Sequence, residues 1–352
     1  TKKEKTDGAW LWNQVPKEVI DTVIQEAIGK ETIDGIFKKV DRLCKGQKVD
    51  IIIGGPPCQA YSIAGRARLG KKIEDDPRND LYKFYVEFLK RYSPEMFVFE
   101  NVLGIKTAKK GEPFRDLQRL VNDLGYKMEP VEQIASEHGV LQKRHRIIIV
   151  GWKINRSGSD IPTTYNYPTL EKEDMPYSIM KDLFCDLPER KAGEGELCGI
   201  VEYTKPLEEM EYLRKTAIRG VLNFTTQHIA RPTNDNEIYR QAVLMWKTGK
   251  RLNYAKLDPA LQKHKNKESF CNRFCVVDPN GVCHTVVAHI AMDGHYYIYP
   301  NETPTLENVR SITIREAARI QSFPDDFFFE GSRSAAFKQI GNAVPVVLAE
   351  KI

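Results

Sequence analysis

Val49-Asp50-Ile51-Ile52-Ile53-Gly54-Gly55-Pro56-Pro57-Cys58-Gln59 is the stretch on which the reading of this chain turns. Its β-branched run, bounded by two glycines and two prolines, predicts a buried strand that breaks into a rigid turn. The glycines permit a sharp reversal and the prolines stiffen the segment that presents Cys58. A lone cysteine is ordinarily a small buried hydrophobe. A Gly-Gly-Pro-Pro turn is a poor place for one, so Cys58 reads as a working thiol.

Helices are predicted upstream of this stretch, from Pro16 over residues 17–26 and again over about 33–43. Downstream, a polar segment (62–79) precedes an amphipathic helix with Leu81, Phe84, Tyr85, Phe88, Leu89 and Tyr92 on one face, stopped by Pro94. Met96-Phe97-Val98-Phe99 is the next strand, ending on Glu100-Asn101. A helix over 114–124 closed by Gly125 and a strand over 146–150 follow. This alternation predicts an open, mostly parallel α/β sheet. Such sheets place ligands outside the carboxyl ends of their strands, so Cys58 and Glu100 are expected in one crevice. Gln142-Lys143-Arg144-His145-Arg146 leads into the last of these strands. A strand starting at Arg144 would put Arg144 and Arg146 on one face, suited to phosphate or a base carbonyl; a charged strand end in solvent is the alternative.

From about residue 155 to 310 the pattern is irregular, with strand candidates at 285–288 and 296–299 and a helix over 234–247. At Thr313, Thr313-Ile314-Arg315-Glu316 is a capping box opening a helix to Gln321. The expected organisation is a catalytic domain over 1–155, a second lobe over 156–309, and a return to the first domain over 310–352.

The chain has 352 residues, 29% charged, with a formal net charge of +5. That is enough for a core and a second lobe, and is compatible with a polyanionic partner without establishing one. No apolar run is long enough to span a membrane. Seven cysteines, an odd number, argue for free thiols in a reducing compartment. The spacing of Cys271, Cys275, Cys283 and His284 is irregular for a zinc knuckle, so no metal is expected.

Taken together, these residues resemble the cytosine-5 DNA methyltransferase family, of the bacterial modification type. Gly55-Pro56-Pro57-Cys58-Gln59 with Ser62 is similar to its catalytic motif, Glu100-Asn101-Val102 to its glutamate motif, and Gln142-x-Arg144-x-Arg146 to its arginine motif. Arg310 to Pro324, containing Arg315-Glu316-Ala317-Ala318-Arg319, resembles its penultimate block, and Gln339-Ile340-Gly341-Asn342-Ala343-Val344-Pro345 its last. The five blocks span residues 54 to 345 in the family's order.

The resemblance implies a Rossmann-like, S-adenosylmethionine-dependent α/β fold with an irregular target-recognition lobe. It implies methylation at carbon 5 of a flipped-out cytosine in duplex DNA. Cys58 would be the nucleophile, with Glu100, Gln142, Arg144 and Arg146 as the other catalytic residues. Pro57, Leu81, Asn342, Ala343 and Asp34 would contact the cofactor. Gln59, Ser62, Arg66, Arg68, Arg231, Lys250, Arg251 and Arg273 would contact DNA, with His228, Lys247, Lys263, Lys265 and Lys267 as further candidates.

The family's first block, a glycine-rich turn for the cofactor's methionine part, has no counterpart in residues 1–48. Truncation, early residues left out of the sequence or a second polypeptide would each account for it, and missing residues are favoured because Thr1 is not a natural start. The expected setting is a bacterial cytoplasm, near the nucleoid, with a cognate restriction endonuclease as partner. A monomer is expected unless a second chain supplies the missing block. A transfer-RNA cytosine-5 methyltransferase, and a DNA-binding protein without methylation activity, are the other readings.

Overall fold

A computed structural model describes residues 14–57, 80–154, 167, 169–263 and 271–352. In chain order, helices α1 (Lys17–Ile20) and α2 (Ile33–Cys44) precede strand β1 (Ile51–Gly54). Helix α3 (Leu81–Tyr92), β2 (Met96–Asn101), α4 (Glu112–Asp123) and β3 (Tyr126–Ile134) follow. Then come β4 (Gln142–Lys143), β5 (His145–Lys153), β6 (Ile200–Glu202), α5 (Glu211–Lys215), β7 (Phe224–Thr226) and α6 (Asn236–Lys247). The chain closes with β8 (Cys283–His284), α7 (Ile314–Ile320), α8 (Arg333–Asn342) and α9 (Val346–Lys351). None of the described helices is long and apolar enough to cross a membrane.

The chain divides into two compact units, residues 1–133 with 145–169, and 134–144 with 170–352. In the first, a four-stranded sheet runs β1-β2-β5-β3. Its core packs Tyr85, Val86 and Leu89 of α3 and Leu117 and Val121 of α4 against Phe97, Phe99, Ile147 and Ile149. The rings of Tyr85, Phe97 and Phe99 meet edge to face, and the Tyr85 hydroxyl lies within donating distance of the Ile52 and Val98 carbonyls on adjacent strands. Helix α3 ends at Ser93, in the left-handed conformation, just before the expected stop at Pro94.

Three expectations change here. The first helix is a single turn, Lys17–Ile20, in place of 17–26. Strand β1 is an edge strand, and of its isoleucines Ile51 and Ile53 are 49% and 76% exposed. The apolar run encodes a strand, but only the face carrying Ile52 has α3 to pack against. Strand β1 pairs parallel with β2, whereas β5 joins β2 antiparallel, with Glu100 opposite Ile148 and Asn101 opposite Ile147.

In the second unit the core gathers Ile179, Leu183 and Phe184 with Leu213, Cys283, Val286, Ile312, Ile314, Ala317, Phe337 and Ile340. Residues 310–352, expected to rejoin the first domain, therefore share a core with the lobe that precedes them, because their apolar faces are buried there. The capping box at Thr313 forms as expected. The strands expected at 285–288 and 296–299 are instead short 3-10 turns around a two-residue strand (Cys283–His284) and an isolated bridge at Ile298.

Candidate active site

In the first unit, the parallel pairing of β1 with β2 brings their carboxyl ends to the same edge of the sheet. The loop after β1 lies against Glu100 there: a Cβ on Gly55 would stand 2.8 Å from Glu100 Oε2. Asn101 ties the loop down, its Nδ2 donating to the Pro56 carbonyl at 3.3 Å while its Oδ1 accepts from Val102 N. Because β5 runs antiparallel, its start lies beside the end of β2, which delivers Arg146 to Glu100. Arg146 Nε lies 2.7 Å from Glu100 Oε1, and its Nη1 donates to the His145 carbonyl. The two side chains are 11% and 22% exposed. Burial pulls the Arg146 pKa down, with the Glu100 charge and hydrogen bond opposing it. The result is a carboxylate and a guanidinium held together at the mouth of the turn that leads to Cys58.

Gly55 is where this arrangement is most exposed to substitution. An added methyl meets the end of a flexible side chain, so the fold should tolerate it. Relief, however, requires the Glu100 carboxylate to leave its place beside Arg146. Gly55→Ala is expected to keep its melting temperature within about 3 °C while losing roughly a hundredfold in the activity of this site, as a misplacement near 1 Å can cost. Equal rates for variant and parent would show that the carboxylate's position is unimportant.

In the second unit, Gln142 and Arg144 are fully buried and both are spent on protein groups. Gln142 Nε2 donates to Gln321 Oε1 at 2.8 Å and its Oε1 accepts from Val286 N. Arg144 Nη1 donates to the Val286 carbonyl, and Nη2 to those of Gly341 and Ala343. Arg144 is thus held by groups of the second unit and Arg146 by groups of the first. The expected shared face for the two arginines gives way to two separate engagements, because β5 starts at His145, after Arg144.

The other expected residues divide by burial. Asn342 is exposed at the end of α8, with Ala343 and Leu81 half-buried; Asp34 is exposed on the first turn of α2, and Pro57 is the last described residue of its loop. Lys250 and Arg251 are exposed. Arg273 is buried with its guanidinium over the Tyr254 ring, and Arg231 donates to the Ile290 and Ala291 carbonyls. Both were expected toward DNA; in the fold these guanidinium groups meet carbonyls and a ring face. Lys247 and Lys263 donate to the Glu302 and Asn234 carbonyls. Cys58, Gln59, Ser62, Arg66, Arg68, Lys265 and Lys267 lie outside the described residues.

His228, another DNA candidate, is fully buried, its Nδ1 at 3.0 Å from Thr313 Oγ1 and its Nε2 at 2.8 Å from the Pro188 carbonyl. Burial pushes its pKa down to about 4. The unfolded chain therefore binds a proton that the folded one refuses, and the contribution of His228 to stability falls as pH drops from about 6.5 toward 4. On the order of 3 kcal/mol is at stake. Thermal melts between pH 7.5 and 4.5 should lose less stability in His228→Gln than in the parent, and parallel curves would refute the assignment.

Two large groups missed by sequence reasoning are buried ion networks. Arg310 pairs with Glu316, and Arg319 binds Asp186 and Asp325. The charge-rich penultimate block signalled their presence, and Glu316 and Asp325 lie in or next to it, but Asp186 comes from 133 residues away.

Known proteins match this chain in sequence and in fold. The profile of the C-5 cytosine-specific DNA methylase family matches residues 13–352. A type II methyltransferase of Bacillus paralicheniformis, M.Bpa9945I, is 37% identical over 322 residues, covering 87% of this chain and 69% of the relative. A second, M1.HphI of Haemophilus parahaemolyticus, is 29% identical, covering 94% and 73%. Among solved structures, an E. coli protein described as a prophage-encoded DNA modification methyltransferase superposes with a TM-score of 0.58 at 24% identity, covering 94% of this chain and 83% of that one. This last likeness shows the Rossmann-like methyltransferase fold. The chain belongs to the C-5 cytosine-specific DNA methylase family and is a DNA (cytosine-5-)-methyltransferase.

Proposed function

We propose that the chain methylates carbon 5 of a flipped-out cytosine in duplex DNA through a covalent Cys58 adduct, with S-adenosylmethionine as methyl donor. The observation that carries this reading is the Glu100–Arg146 pair, 2.7 Å apart at the carboxyl end of β2 and beside the loop leading to Cys58.

Cytosine carbon 5 is a weak nucleophile until something adds at carbon 6. The Cys58 thiolate forms the Sγ–C6 bond. Glu100 hydrogen-bonds at ring nitrogen 3, where charge develops, and Arg146 holds the ring carbonyl oxygen. After carbon 5 has gained its methyl group, a base removes the carbon-5 proton, the electron pair restores the ring double bond, and the Sγ–C6 bond breaks. The base must leave the duplex for these atoms to reach it.

S-adenosylmethionine, when bound, supplies the methyl group. Of the residues carried over by motif position, Asn342 in the second unit offers an exposed amide beside Ala343 in the chain, and Asp34 in the first unit offers an exposed carboxylate. Target recognition falls to residues 156–309, with Gln59, Ser62, Arg66, Arg68, Lys250 and Arg251 toward DNA. Because M.Bpa9945I and M1.HphI are named type II methyltransferases, the reading extends to restriction–modification: a bacterial cytoplasmic enzyme, monomeric, with a cognate restriction endonuclease.

The decisive experiment is transfer of label from S-adenosylmethionine to duplex DNA and to transfer RNA side by side, using the full-length protein and Cys58→Ala as control. Label in DNA that the control loses supports the reading. Label in RNA moves the substrate, and full label in the control removes the adduct.

A further inference from the structure

At the end of helix α8 the cap residue Ala343 donates its backbone N–H to the Gln339 and Ile340 carbonyls, which leaves the carbonyls that follow without partners within the helix, as helix ends do. Two buried side chains from distant segments satisfy them. Arg144 Nη2 donates to the Gly341 carbonyl at 3.0 Å and to the Ala343 carbonyl at 2.8 Å. Gln321 Nε2 donates to the Ile340 carbonyl at 2.5 Å and to that of Ala343 at 3.2 Å. Gln142 in turn holds Gln321 and the Val286 amide, and Arg144 Nη1 reaches the Val286 carbonyl at 2.6 Å. Gly341 allows the close approach that this needs, since a Cβ there would stand 2.2 Å from Ala288 N. The carbonyls on both sides of Asn342 are therefore pinned inward while its own side chain is exposed.

We infer that Arg144, with Gln142 and Gln321, is a positioning residue for the cofactor, fixing the 341–343 turn so that the Asn342 amide is presented in one orientation. The inference rests on the proposed reading that Asn342 and Ala343 contact S-adenosylmethionine. It moves Arg144 and Gln142 away from direct contact with the base. A planar guanidinium fork suits this role, because one nitrogen serves two carbonyls and the other a third, a pattern that a lysine ammonium at the same place does not reproduce. A cation at a helix C-terminus also answers the partial negative charge gathered there.

The experiment uses the full-length protein and the variants Arg144→Lys, Gln321→Met and Asn342→Ala. The dissociation constant for S-adenosylhomocysteine is measured without DNA, alongside KM for S-adenosylmethionine, kcat and the melting temperature. Losing one or two hydrogen bonds behind the turn should raise the S-adenosylhomocysteine dissociation constant and the cofactor KM about tenfold in Arg144→Lys and in Gln321→Met. The fall in kcat at saturating cofactor should be much smaller than the rise in KM. Either variant that remains folded suffices for the measurement. Unchanged cofactor affinity in these variants, with Asn342→Ala weakened, would overturn the inference and leave the cofactor reading standing. A fall in kcat without a rise in KM would return Arg144 to the base itself and also overturn it. Unchanged affinity in Asn342→Ala would remove the cofactor reading of the turn, and the inference with it.

Discussion

Glu100→Gln is expected to abolish nearly all methyl transfer while leaving the protein folded and able to bind DNA. The substitution is almost isosteric, so the loop at Gly55 keeps its packing, but it removes a charge from a pair whose members are only 22% and 11% exposed. A positioned acid–base group contributes about 10²- to 10⁴-fold in such reactions, and the amide also fails to balance the Arg146 guanidinium. Leaving that guanidinium without its counter-charge costs less than the 3–5 kcal/mol or so seen for fully buried pairs, because some solvent reaches it. Transfer should thus fall on the order of a thousandfold, measured under single-turnover conditions. A rate within threefold of the parent would separate Glu100 from the chemistry. Arg146→Lys, which keeps the charge but loses the fork, should fall between the two.

The second large effect is on stability. Asp186 is fully buried and accepts from Arg319 Nη1 at 2.5 Å and from Arg219 Nη1 at 3.1 Å. Asp325 accepts from Arg319 Nε and Nη2 and from the Tyr203 hydroxyl, and Arg319 Nη1 also donates to the Leu183 carbonyl. Burial alone would pull the Arg319 pKa down, but the two aspartates outweigh it and raise it. Within this cluster, each charge is tolerated in the interior only because the others are present. Asp186→Ala leaves Arg219 with only the Lys205 carbonyl and the Tyr203 ring, and Arg319 half-answered, which should cost about 3–5 kcal/mol. For a chain this long, that lowers the melting temperature on the order of 10 °C, followed by circular dichroism. A shift below about 2 °C would mean that solvent or repacking replaces the aspartate. Arg319→Met leaves Asp186 with Arg219 alone and Asp325 with Tyr203 and the more distant Arg315, and should be comparably damaging; the two losses should not add, because both remove the Arg319–Asp186 contact.

Local pattern carried much of the architecture. The amphipathic spacing of Leu81 to Tyr92 specified α3, and Thr313 with Glu316 specified the start of α7, since a capping box is complete within four residues. The strand endings at Gly54-Gly55-Pro56-Pro57 and at Glu100-Asn101 marked the edge of the candidate site for the same reason. The burial of β1, by contrast, was misread: a β-branched run records a preference for extended backbone, and what covers each face is supplied by other parts of the chain.

The sequence by itself named the groups that the proposed chemistry uses, Cys58, Glu100 and Arg146, because each stands in a short motif whose residues are adjacent in the chain. Only the tertiary structure decided the direction of β5, which is what sets Arg146 beside Glu100 rather than at the far end of the sheet. It also decided the roles of the other cations. Arg144 finds its partners 142 to 199 residues away, and Arg231 and Arg273 turn to carbonyls and a ring instead of solvent. An arginine's formal charge is written in the sequence, but whether it meets a phosphate or a buried carbonyl depends on which distant backbone the fold brings within about 3 Å of it.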